Sequence, residues 1–328
     1  MRAVYIPEFG SLENLEIREV TDPAEPGRTQ VLVAVKAAGL NRADLLQVRG
    51  AYPPPVGYSP NIPGLEFSGE VVAVGQDVRK WKVGDPVFGI TAGEGQSEFL
   101  VTEEALLAEI PDVLSFIEAA AIPEAFITSH DAIITQGQLK QNETLLIHAV
   151  GSGVGLAALQ VAKATGATVL GTSRTDAKLE RCKQFGLDHA IPTDNNADFA
   201  AQIKEITAGK GADVILDLVG AAYFDSNLAS LALKGRMILV GLTSGRTAEF
   251  NLGMALQKRM TLIGTVLRGR PTQEKAEATS KFVEEVVPLL DSGQVRPNVD
   301  RVFAAEDVIA AYKYLESNES FGKVVLEF

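Results

Sequence analysis

The alternation of apolar and polar positions divides the chain into stretches with different predicted structures. From residue 1 to about 124, short apolar runs such as 31–35 and 69–74 are separated by turn residues, which predicts a β-rich segment. At 84–86 the turn sequence Gly-Asp-Pro leads into a further predicted strand. Between about 125 and 266, apolar runs of strand length alternate with amphipathic helical patterns. This alternation is typical of a parallel sheet with right-handed crossovers.

The elements of the alternating segment can be placed from these patterns. Strands are expected at 144–149, 167–172, 188–192, 213–218, 235–240 and 260–265. Helices are expected near 126–137, 153–165, 175–185, 197–208, 222–233 and 251–258. Beyond it we expect a long helix near 272–292, a shorter one near 305–316 and a final strand from Lys323 to Phe328 that pairs back into the N-terminal segment. We therefore predict an α/β protein with a discontinuous β-rich domain, 1–124 with 267–328, and a doubly wound parallel-sheet domain, 125–266.

A glycine-rich turn joins the first strand of the parallel sheet to its first helix. The run 145–160 reads LLIHAVGSGVGLAALQ, which is an apolar strand, a turn and a helical pattern. Such a turn puts backbone N–H groups at a helix N-terminus, where a pyrophosphate can bind, so it predicts a dinucleotide site. Read against G-x-G-x-x-G ending at Gly155, however, the first two glycine positions hold Val150 and Ser152. Packing or helix capping can also account for glycines in such a turn.

The end of the second parallel strand indicates which dinucleotide binds. An acidic residue is usual about 20 residues after the glycines, where it binds the adenosine ribose. This chain instead has Ser173 and Arg174 at the strand end, and Lys178 one helical turn later. A hydroxyl and two cations suit a 2′-phosphate, which favours NADP over NAD. Asp176 argues the other way, because it could reach the ribose, or it could cap the next helix.

Composition and charge narrow the class of protein. The 328 residues are 46% hydrophobic and 22% charged, which is ordinary for a globular protein with two domains. No apolar run reaches the roughly 18 residues of a membrane helix, and the N-terminus has no signal-peptide pattern. The one cysteine, Cys182, fits a reducing compartment, so we expect a cytoplasmic protein. A net charge of -12 argues against nonspecific binding to nucleic acid or anionic membranes.

The residue types that bind metals or form covalent intermediates are sparse. The three histidines, His130, His148 and His189, are scattered, and the sequence has no Cys-x-x-Cys pair. We expect His148 to be a hydrogen-bonded structural residue and Cys182 a buried small hydrophobe. There is also no G-x-S-x-G nucleophile motif. Hydride transfer without metal, which needs positioning and a shaped apolar pocket, is the chemistry that remains.

Several motifs resemble one known family. Residues 41–52 (NRADLLQVRGAY), 63–70 (PGLEFSGE) and 121–128 (AIPEAFIT), with the glycine turn and 322–326 (GKVVL), are similar to the medium-chain dehydrogenase/reductase superfamily. Within it they resemble the zinc-independent quinone oxidoreductase branch, which includes zeta-crystallin, and come close to the tumour-suppressor-induced quinone reductases. The likeness extends over essentially the whole chain. It implies a GroES-like catalytic domain, a Rossmann NADP-binding domain and a homodimer.

The resemblance also bears on zinc and on the dimer. Asn41 stands where zinc-dependent relatives have a cysteine ligand and Leu65 where they have a histidine, and the cysteine-rich structural zinc loop is missing. The dimer would form through edge strands of two Rossmann sheets, the strand here being Leu262 to Leu267. The same apolar run could instead be an internal strand.

The resemblance implies roles for residues of the two sites. Asn41 and Thr128 would line the nicotinamide and its ribose. Tyr52 would lie in the substrate cleft, where its phenol could orient a carbonyl oxygen or supply a proton. The alternative for Tyr52 is a loop tyrosine packed on prolines 53–55.

The remaining implied residues hold the dinucleotide. Thr193 stands where many relatives have a tyrosine near the adenosine phosphate. The expected contacts are Ser152, Gly153 and Val154 on the pyrophosphate, Ser173 and Lys178 on the 2′-phosphate with Arg174 compensating for Thr193, and Gly241 and Leu242 beside the nicotinamide.

The sequence therefore predicts an NADPH-dependent, metal-free reductase of quinones or similar conjugated carbonyl compounds. One alternative is an enal or enoyl-thioester reductase, whose phosphorylated carrier would need a basic entrance such as Arg42, Arg49, Arg268 and Arg270. Another is a protein that binds NADPH in a structural or sensory role, since no obligatory acid–base pair is evident.

Overall fold

The computed structural model of the chain describes residues 1–193 and 198–328. Its strands, numbered in chain order, are β1 (Arg2–Tyr5), β2 (Glu16–Glu19), β3 (Gln30–Gly39), β4 (Glu66–Val74), β5 (Pro86–Ile90), β6 (Phe99–Glu103), β7 (Leu107–Glu109), β8 (Thr144–Ile147), β9 (Thr168–Ser173), β10 (His189–Pro192), β11 (Ala212–Asp217), β12 (Leu231–Leu239), β13 (Thr261–Gly264), β14 (Val299–Ala304) and β15 (Lys323–Glu327).

The α-helices are numbered in the same way. They are α1 (Arg42–Val48), α2 (Phe116–Ala119), α3 (Thr128–His130), α4 (Gly153–Thr165), α5 (Asp176–Cys182), α6 (Ala200–Ile206), α7 (Phe224–Ser230), α8 (Leu252–Lys258), α9 (Thr272–Glu285), α10 (Val287–Asp291) and α11 (Val308–Glu316). Helix α3 lies between two π-helical segments, Pro123–Ile127 and Asp131–Gln136. Within the described ranges, no helix is long and apolar enough to cross a membrane.

The chain forms two compact units, and the first combines 1–127 with 267–328. Its main sheet has the strand order β14-β15-β3-β4-β5-β7, with β6 paired to β3. The long strand β3 places Val31, Val33 and Val35 in a core with Phe67 and Trp81, as its alternating apolar positions predict. The final strand β15 pairs antiparallel with β3, which confirms that the end of the chain returns to the N-terminal sheet.

The second unit, 128–266, contains a six-stranded parallel sheet. Its order is β10-β9-β8-β11-β12-β13, so the chain runs outward from β8 to one edge and then returns to build the other half from β11. This is the doubly wound arrangement that the alternating pattern predicts, and the crevice at its reversal point lies outside the carboxyl ends of β8 and β11. The strands are short and apolar because both faces of a parallel sheet are covered.

Some predicted elements differ from the observed ones. The long helix expected near 272–292 is interrupted at Val286, between α9 and α10, because Pro288 has no N–H to donate and its ring opposes a continuous helix. The helix expected near 222–233 ends at Ser230, where β12 begins earlier than predicted. The helix expected near 126–137 belongs to the helical run that starts at Pro123. The first residue of the helix expected near 197–208 lies outside the described residues.

Candidate cofactor and substrate sites

The glycine turn forms the N-terminus of α4 at the carboxyl end of β8. Ser152 is the N-cap residue, and its Oγ accepts a hydrogen bond from the Gly155 N–H at 3.1 Å. A side chain at Gly155 would not fit, because its Cβ would lie 2.5 Å from the carbonyl oxygen of Ala149. Gly155 therefore lets the helix approach the turn closely, while Ser152, Gly153 and Val154 keep part of their surface accessible. The first N–H groups of α4 have no intrahelical acceptor, so this end suits an anion.

The predicted 2′-phosphate residues lie at the end of the neighbouring strand. Strand β9 pairs parallel with β8, so its carboxyl end meets the same edge of the sheet. Ser173 ends β9 and accepts a hydrogen bond from the Thr175 N–H at 3.3 Å. Arg174 is exposed, and Lys178 is partly exposed on α5. Thr175, and not Asp176, is the N-cap residue of α5, so the expectation that Asp176 caps this helix is wrong.

Thr193 is tied to the same strand end. Its N–H donates to the Ser173 carbonyl at 2.9 Å, and its Oγ1 accepts from the phenol of Tyr223 at 2.8 Å. Tyr223, in the 3-10 turn before α7, thus places its phenol against Thr193 at this strand end. No local pattern predicts this contact, because the two residues are brought together only by the fold.

The end of β12 contributes the third group of predicted cofactor residues. The N–H of Gly241 donates to the Asp217 carbonyl at 3.1 Å, and a Cβ at Gly241 would lie 2.5 Å from the carbonyl oxygen of Leu218. Leu242 follows with an exposed side chain. The predicted cofactor residues of this unit that follow a strand therefore lie on one side of the sheet. This is the side where β8, β9 and β12 have their carboxyl ends.

Thr128 is the first residue of this unit and carries an unsatisfied polar group. Its Oγ1 is buried and has no hydrogen-bond partner among the described residues. Buried hydroxyl groups are nearly always paired, and each exception calls for an explanation. A ligand with a hydrogen-bonding group, such as the riboside or carboxamide of a nicotinamide, fits this position.

His148 is a structural residue, as predicted. Its Nε2 lies 2.6 Å from Asn227 Oδ1 and its Nδ1 lies 2.9 Å from Thr172 Oγ1. Because Asn227 uses its amide nitrogen to donate to Asp217, its Oδ1 must accept, which places the histidine proton on Nε2. Burial lowers the pKa of His148, although the nearby Asp217 opposes the shift. Both nitrogens of the neutral imidazole ring therefore have a hydrogen-bond partner.

In the other unit, Asn41 is fixed by hydrogen bonds at both ends of its amide. It precedes α1 and donates through Nδ2 to Glu66 Oε1 at 2.9 Å, while its Oδ1 accepts from Lys323 Nζ at 2.7 Å. Lys323 also forms a buried salt bridge with Glu66 at 2.5 Å. A Cβ at Gly39 would lie 2.4 Å from Glu66 Oε1, so the glycine at the end of β3 makes room for this carboxylate. The amide is held in one orientation.

Glu66 and Lys323 hold the predicted site residue Asn41, and no sequence motif pointed to either of them. Each is a charged residue within a buried strand, and fully buried charges are rare unless they are paired. A charged residue within an otherwise apolar strand can be seen in the sequence, at 63–70 and at 322–326. Their pairing was not predictable, because the two strands are far apart in the chain.

Tyr52 packs against a buried arginine. The Arg268 guanidinium lies 4.9 Å from the centre of the Tyr52 ring and donates to the Tyr52 carbonyl at 3.0 Å. Arg268 is only 4% exposed and also donates to Ala92 and Gln47. Burial raises the pKa of the Tyr52 phenol above its usual value, and the charge of Glu124 adds to the shift.

Three of the four arginines expected at a basic entrance, Arg42, Arg49 and Arg268, contact other parts of the protein. Arg268 is internal and supports a loop, so treating it as a surface residue was wrong. Arg49 forms an ion pair with Glu316, and Arg42 donates to Asn318. Within the parts of the chain that the structure describes, no group of three or more histidine, cysteine, aspartate or glutamate residues could hold a metal ion.

Comparisons with known proteins identify the family of the chain. Residues 27–133 match the family of alcohol dehydrogenase GroES-like domains, and residues 153–285 match the zinc-binding dehydrogenase family. The chain is 33% identical to a quinone oxidoreductase of Pseudomonas aeruginosa, with 99% of both chains covered. It is also 32% identical to quinone oxidoreductase-like protein 2 of Bos taurus, over 95% of this chain and 88% of that protein.

Solved structures show the same relationship. Escherichia coli quinone oxidoreductase complexed with NADPH is similar with a TM-score of 0.90, at 31% identity and with 100% of both chains covered. The CurK enoyl reductase is similar with a TM-score of 0.88, at 28% identity over 99% of this chain and 98% of that one. The fold and the sites therefore define a nicotinamide-dependent oxidoreductase with a GroES-like and a Rossmann part. The chain belongs to the quinone oxidoreductase branch of the medium-chain dehydrogenase/reductase superfamily, which confirms the predicted family.

Proposed function

We propose that this protein is an NADPH-dependent, metal-free reductase that transfers hydride to a quinone or a conjugated carbonyl compound. The observation that carries the proposal is the arrangement at one edge of the parallel sheet, where the N-terminus of α4 adjoins the strand end that bears Ser173, Arg174 and Lys178. The likeness to an NADPH-complexed quinone oxidoreductase supports it.

The residues of the Rossmann unit bind and orient the dinucleotide. NADPH, when bound, supplies the hydride. Ser152, Gly153 and Val154 would hold its pyrophosphate through backbone N–H groups at the helix N-terminus. A phosphate on the adenosine ribose would be neutralised by Arg174 and Lys178, with a hydrogen bond from Ser173.

The remaining predicted contacts position the reactive end of the dinucleotide. The unpaired Thr128 hydroxyl would gain the partner that it lacks. The absence of a side chain at Gly241 lets the backbone after β12 approach Leu218 closely. The exposed Leu242 would offer an apolar surface beside the nicotinamide ring. We propose that these residues fix the face from which hydride leaves.

The GroES-like unit would supply a rigid substrate site. Asn41 is held by Lys323 and Glu66, so its amide needs no reorganisation when a ligand binds. Tyr52 is held through its backbone and ring by Arg268, which leaves its phenol to orient a carbonyl oxygen. Positioning of this kind is the protein's main contribution to a hydride transfer.

Local charge supports the absence of a metal from the mechanism. The Asn41 oxygen accepts from a lysine ammonium 2.7 Å away, and a second cation at that oxygen would be repelled. Leu65, at the position of a histidine ligand in zinc-dependent relatives, is a buried apolar residue. We expect chelators to leave the activity unchanged.

Turnover of a panel of acceptors tests the proposal. We expect NADPH oxidation with small quinones or enones, and faster turnover with these than with enoyl-CoA. The likeness to CurK enoyl reductase favours a thioester substrate as the second candidate, but Arg268, Arg42 and Arg49 are engaged within the protein. Preferential reduction of an enoyl thioester would select that candidate. Tight NADPH binding without any turnover would indicate a structural or sensory role.

We also propose a homodimer formed through the second unit. Strand β13 occupies the end of the six-stranded sheet, which excludes the alternative of an internal strand. It spans Thr261–Gly264, so the expected dimer strand from Leu262 to Leu267 is too long, and Leu267 is buried in the other unit. Leu262 on β13 is exposed, as are Leu252 and Leu256 on α8, the helix that packs on β12, and we propose that a second copy covers these apolar side chains.

A further inference from the structure

Glu66 organises the polar interior of the GroES-like unit. This fully buried carboxylate accepts hydrogen bonds from Asn41 Nδ2 at 2.9 Å and from the backbone N–H of Glu124 at 2.8 Å, and it pairs with Lys323 Nζ at 2.5 Å. The two oxygens of Glu66 therefore tie the segment of Asn41 to the segment of Glu124.

Glu124 differs from Glu66 in having no partner for its carboxyl group. No group in the part of the chain that the structure describes donates a hydrogen bond to it or forms an ion pair with it, and part of the side chain remains accessible. A carboxyl group that is desolvated, lacks donors and lies near a second acidic side chain favours its neutral form. Glu124 is thus a carboxylic acid with an accessible proton.

The charged groups around Glu124 favour the same protonation state. Asp44 and Glu66 contribute negative charge, while Lys323, Arg268 and Lys275 contribute positive charge. Burial, followed by the charge of Glu66, raises the pKa of Glu124 to about 8 against the opposing effect of Lys323 and Arg268. At neutral pH the acid form of Glu124 prevails. Its pKa is close to neutral pH, so the carboxyl group can also release its proton to a substrate.

Tyr52 lies within the electrostatic reach of Glu124 and is the weaker acid of the two. Burial raises the pKa of the phenol above the usual value near 10, the charge of Arg268 opposes this shift, and the charge of Glu124 adds to it. Arg268, which packs on the Tyr52 ring, also lies in the field of Glu124. The group that could orient a carbonyl and the group that could protonate it therefore belong to the same unit and interact electrostatically.

We propose that Glu124 donates the proton that completes reduction of the substrate, while Tyr52 positions the substrate; this inference rests on the proposed function. Conversion of a quinone to a hydroquinone requires two electrons and two hydrogens. The hydride brings both electrons and one hydrogen, and the second arrives as a proton. The O–H bond of the Glu124 carboxyl breaks, an O–H bond forms at the substrate oxygen, and the resulting carboxylate is reprotonated from water. The nicotinamide is oxidised and the quinone is reduced.

Three variants separate proton donation from substrate positioning: Glu124→Gln, Glu124→Asp and Tyr52→Phe. We expect Glu124→Gln to lower kcat about 100-fold or more with KM unchanged, and Glu124→Asp to restore part of the rate. Tyr52→Phe should instead raise KM with a smaller effect on kcat. Wild-type kcat should fall as pH rises through about 8, because the acid form is lost, and Glu124→Gln should lose this dependence. Glu70→Gln, an exposed glutamate on the same strand as Glu66, is the matched control and should behave as wild type.

Infrared spectroscopy of the protein without cofactor gives a readout that does not depend on activity. Wild type should show a protonated carboxyl C=O band at pH 7 that is lost near pH 8, and this band should be missing from Glu124→Gln and present in Glu70→Gln. Absence of that band, or a Glu124→Gln variant with wild-type kcat and pH profile, would overturn the role of Glu124. A wild type that binds NADPH but reduces neither quinones nor enones would instead refute the proposed function.

Discussion

At the residue scale, the polar groups of the GroES-like unit act as one network. Asn41 was predicted as a site residue from its motif alone, but the structure shows that its orientation depends on Glu66 and Lys323. Neither partner could be assigned from sequence, because a buried ion pair between distant strands leaves no local pattern. A site residue can be predicted when it belongs to a recognisable motif. Its hydrogen-bond and ion-pair partners cannot, because the tertiary fold determines them.

Removal of the lysine tests this network. Lys323→Met should lower the free energy of unfolding by about 3–5 kcal/mol, because it leaves the charge of Glu66 buried without a cation. Urea unfolding monitored by circular dichroism measures the change. The exposed Lys313→Met serves as the control, since its ion pair with Glu13 lies in solvent and should contribute little. Equal stabilities of the two variants would show that the buried ion pair of Lys323 with Glu66 contributes no more than the exposed pair.

The proposed contact between Lys178 and the 2′-phosphate of NADPH can be tested with a single substitution. Lys178→Ala should raise the KM for NADPH about tenfold or more, because a charge-assisted hydrogen bond to phosphate is lost, and should change the KM for NADH little. Steady-state kinetics with each cofactor and one quinone measure both values. Equal effects on the two cofactors would remove Lys178 from the site.

At the element scale, the strand–turn–helix around Gly155 was predicted closely. The helix expected at 153–165 is observed over those residues, because the glycines, the Ser152 cap and the apolar helical spacing are all local signals. The helix near 272–292 was predicted less well, because its apolar spacing continues across Pro288, which interrupts it.

Gly155→Ala tests the close approach of α4 to the turn. The added Cβ would lie 2.5 Å from the Ala149 carbonyl oxygen and 2.7 Å from that of Val150, and both are backbone atoms that can yield only if the turn moves. We expect weaker NADPH binding, by about tenfold or more, and a loss of about 1–3 kcal/mol in stability. Cofactor fluorescence titration and thermal unfolding report the two effects. Gly269→Ala, where nothing lies within 4 Å, should change neither.

The edge strand β13 and helix α8 make a second prediction at this scale. Leu262 is 41% exposed and Leu256 is 78% exposed, although both belong to regular elements. Analytical ultracentrifugation should find wild type at twice 34.9 kDa, and Leu262→Lys should shift it to the single-chain mass, because a charge on an edge strand opposes pairing. Val113→Lys, at an exposed apolar residue of the other unit, should remain dimeric. A monomeric wild type would refute the dimer.

At the scale of the whole molecule, the sequence predicted the fold class and the return of the last strand to the first unit. Those features follow from the order of strand and helix patterns, and from β15, which is apolar enough to be buried. The sequence did not predict that Arg268 is internal or that Glu124 and Tyr52 interact electrostatically. Both features depend on long-range contacts, and both bear on the chemistry proposed for the site.

The proposal that the molecule is an NADPH-dependent, metal-free reductase can be tested in one set of assays. These assays measure kcat/KM for NADPH and for NADH with one small quinone, each in the presence and absence of a chelator. We expect a kcat/KM for NADPH at least about tenfold above that for NADH, with both values unaffected by the chelator. Equal values for the two cofactors, or a loss of activity with the chelator, would contradict it.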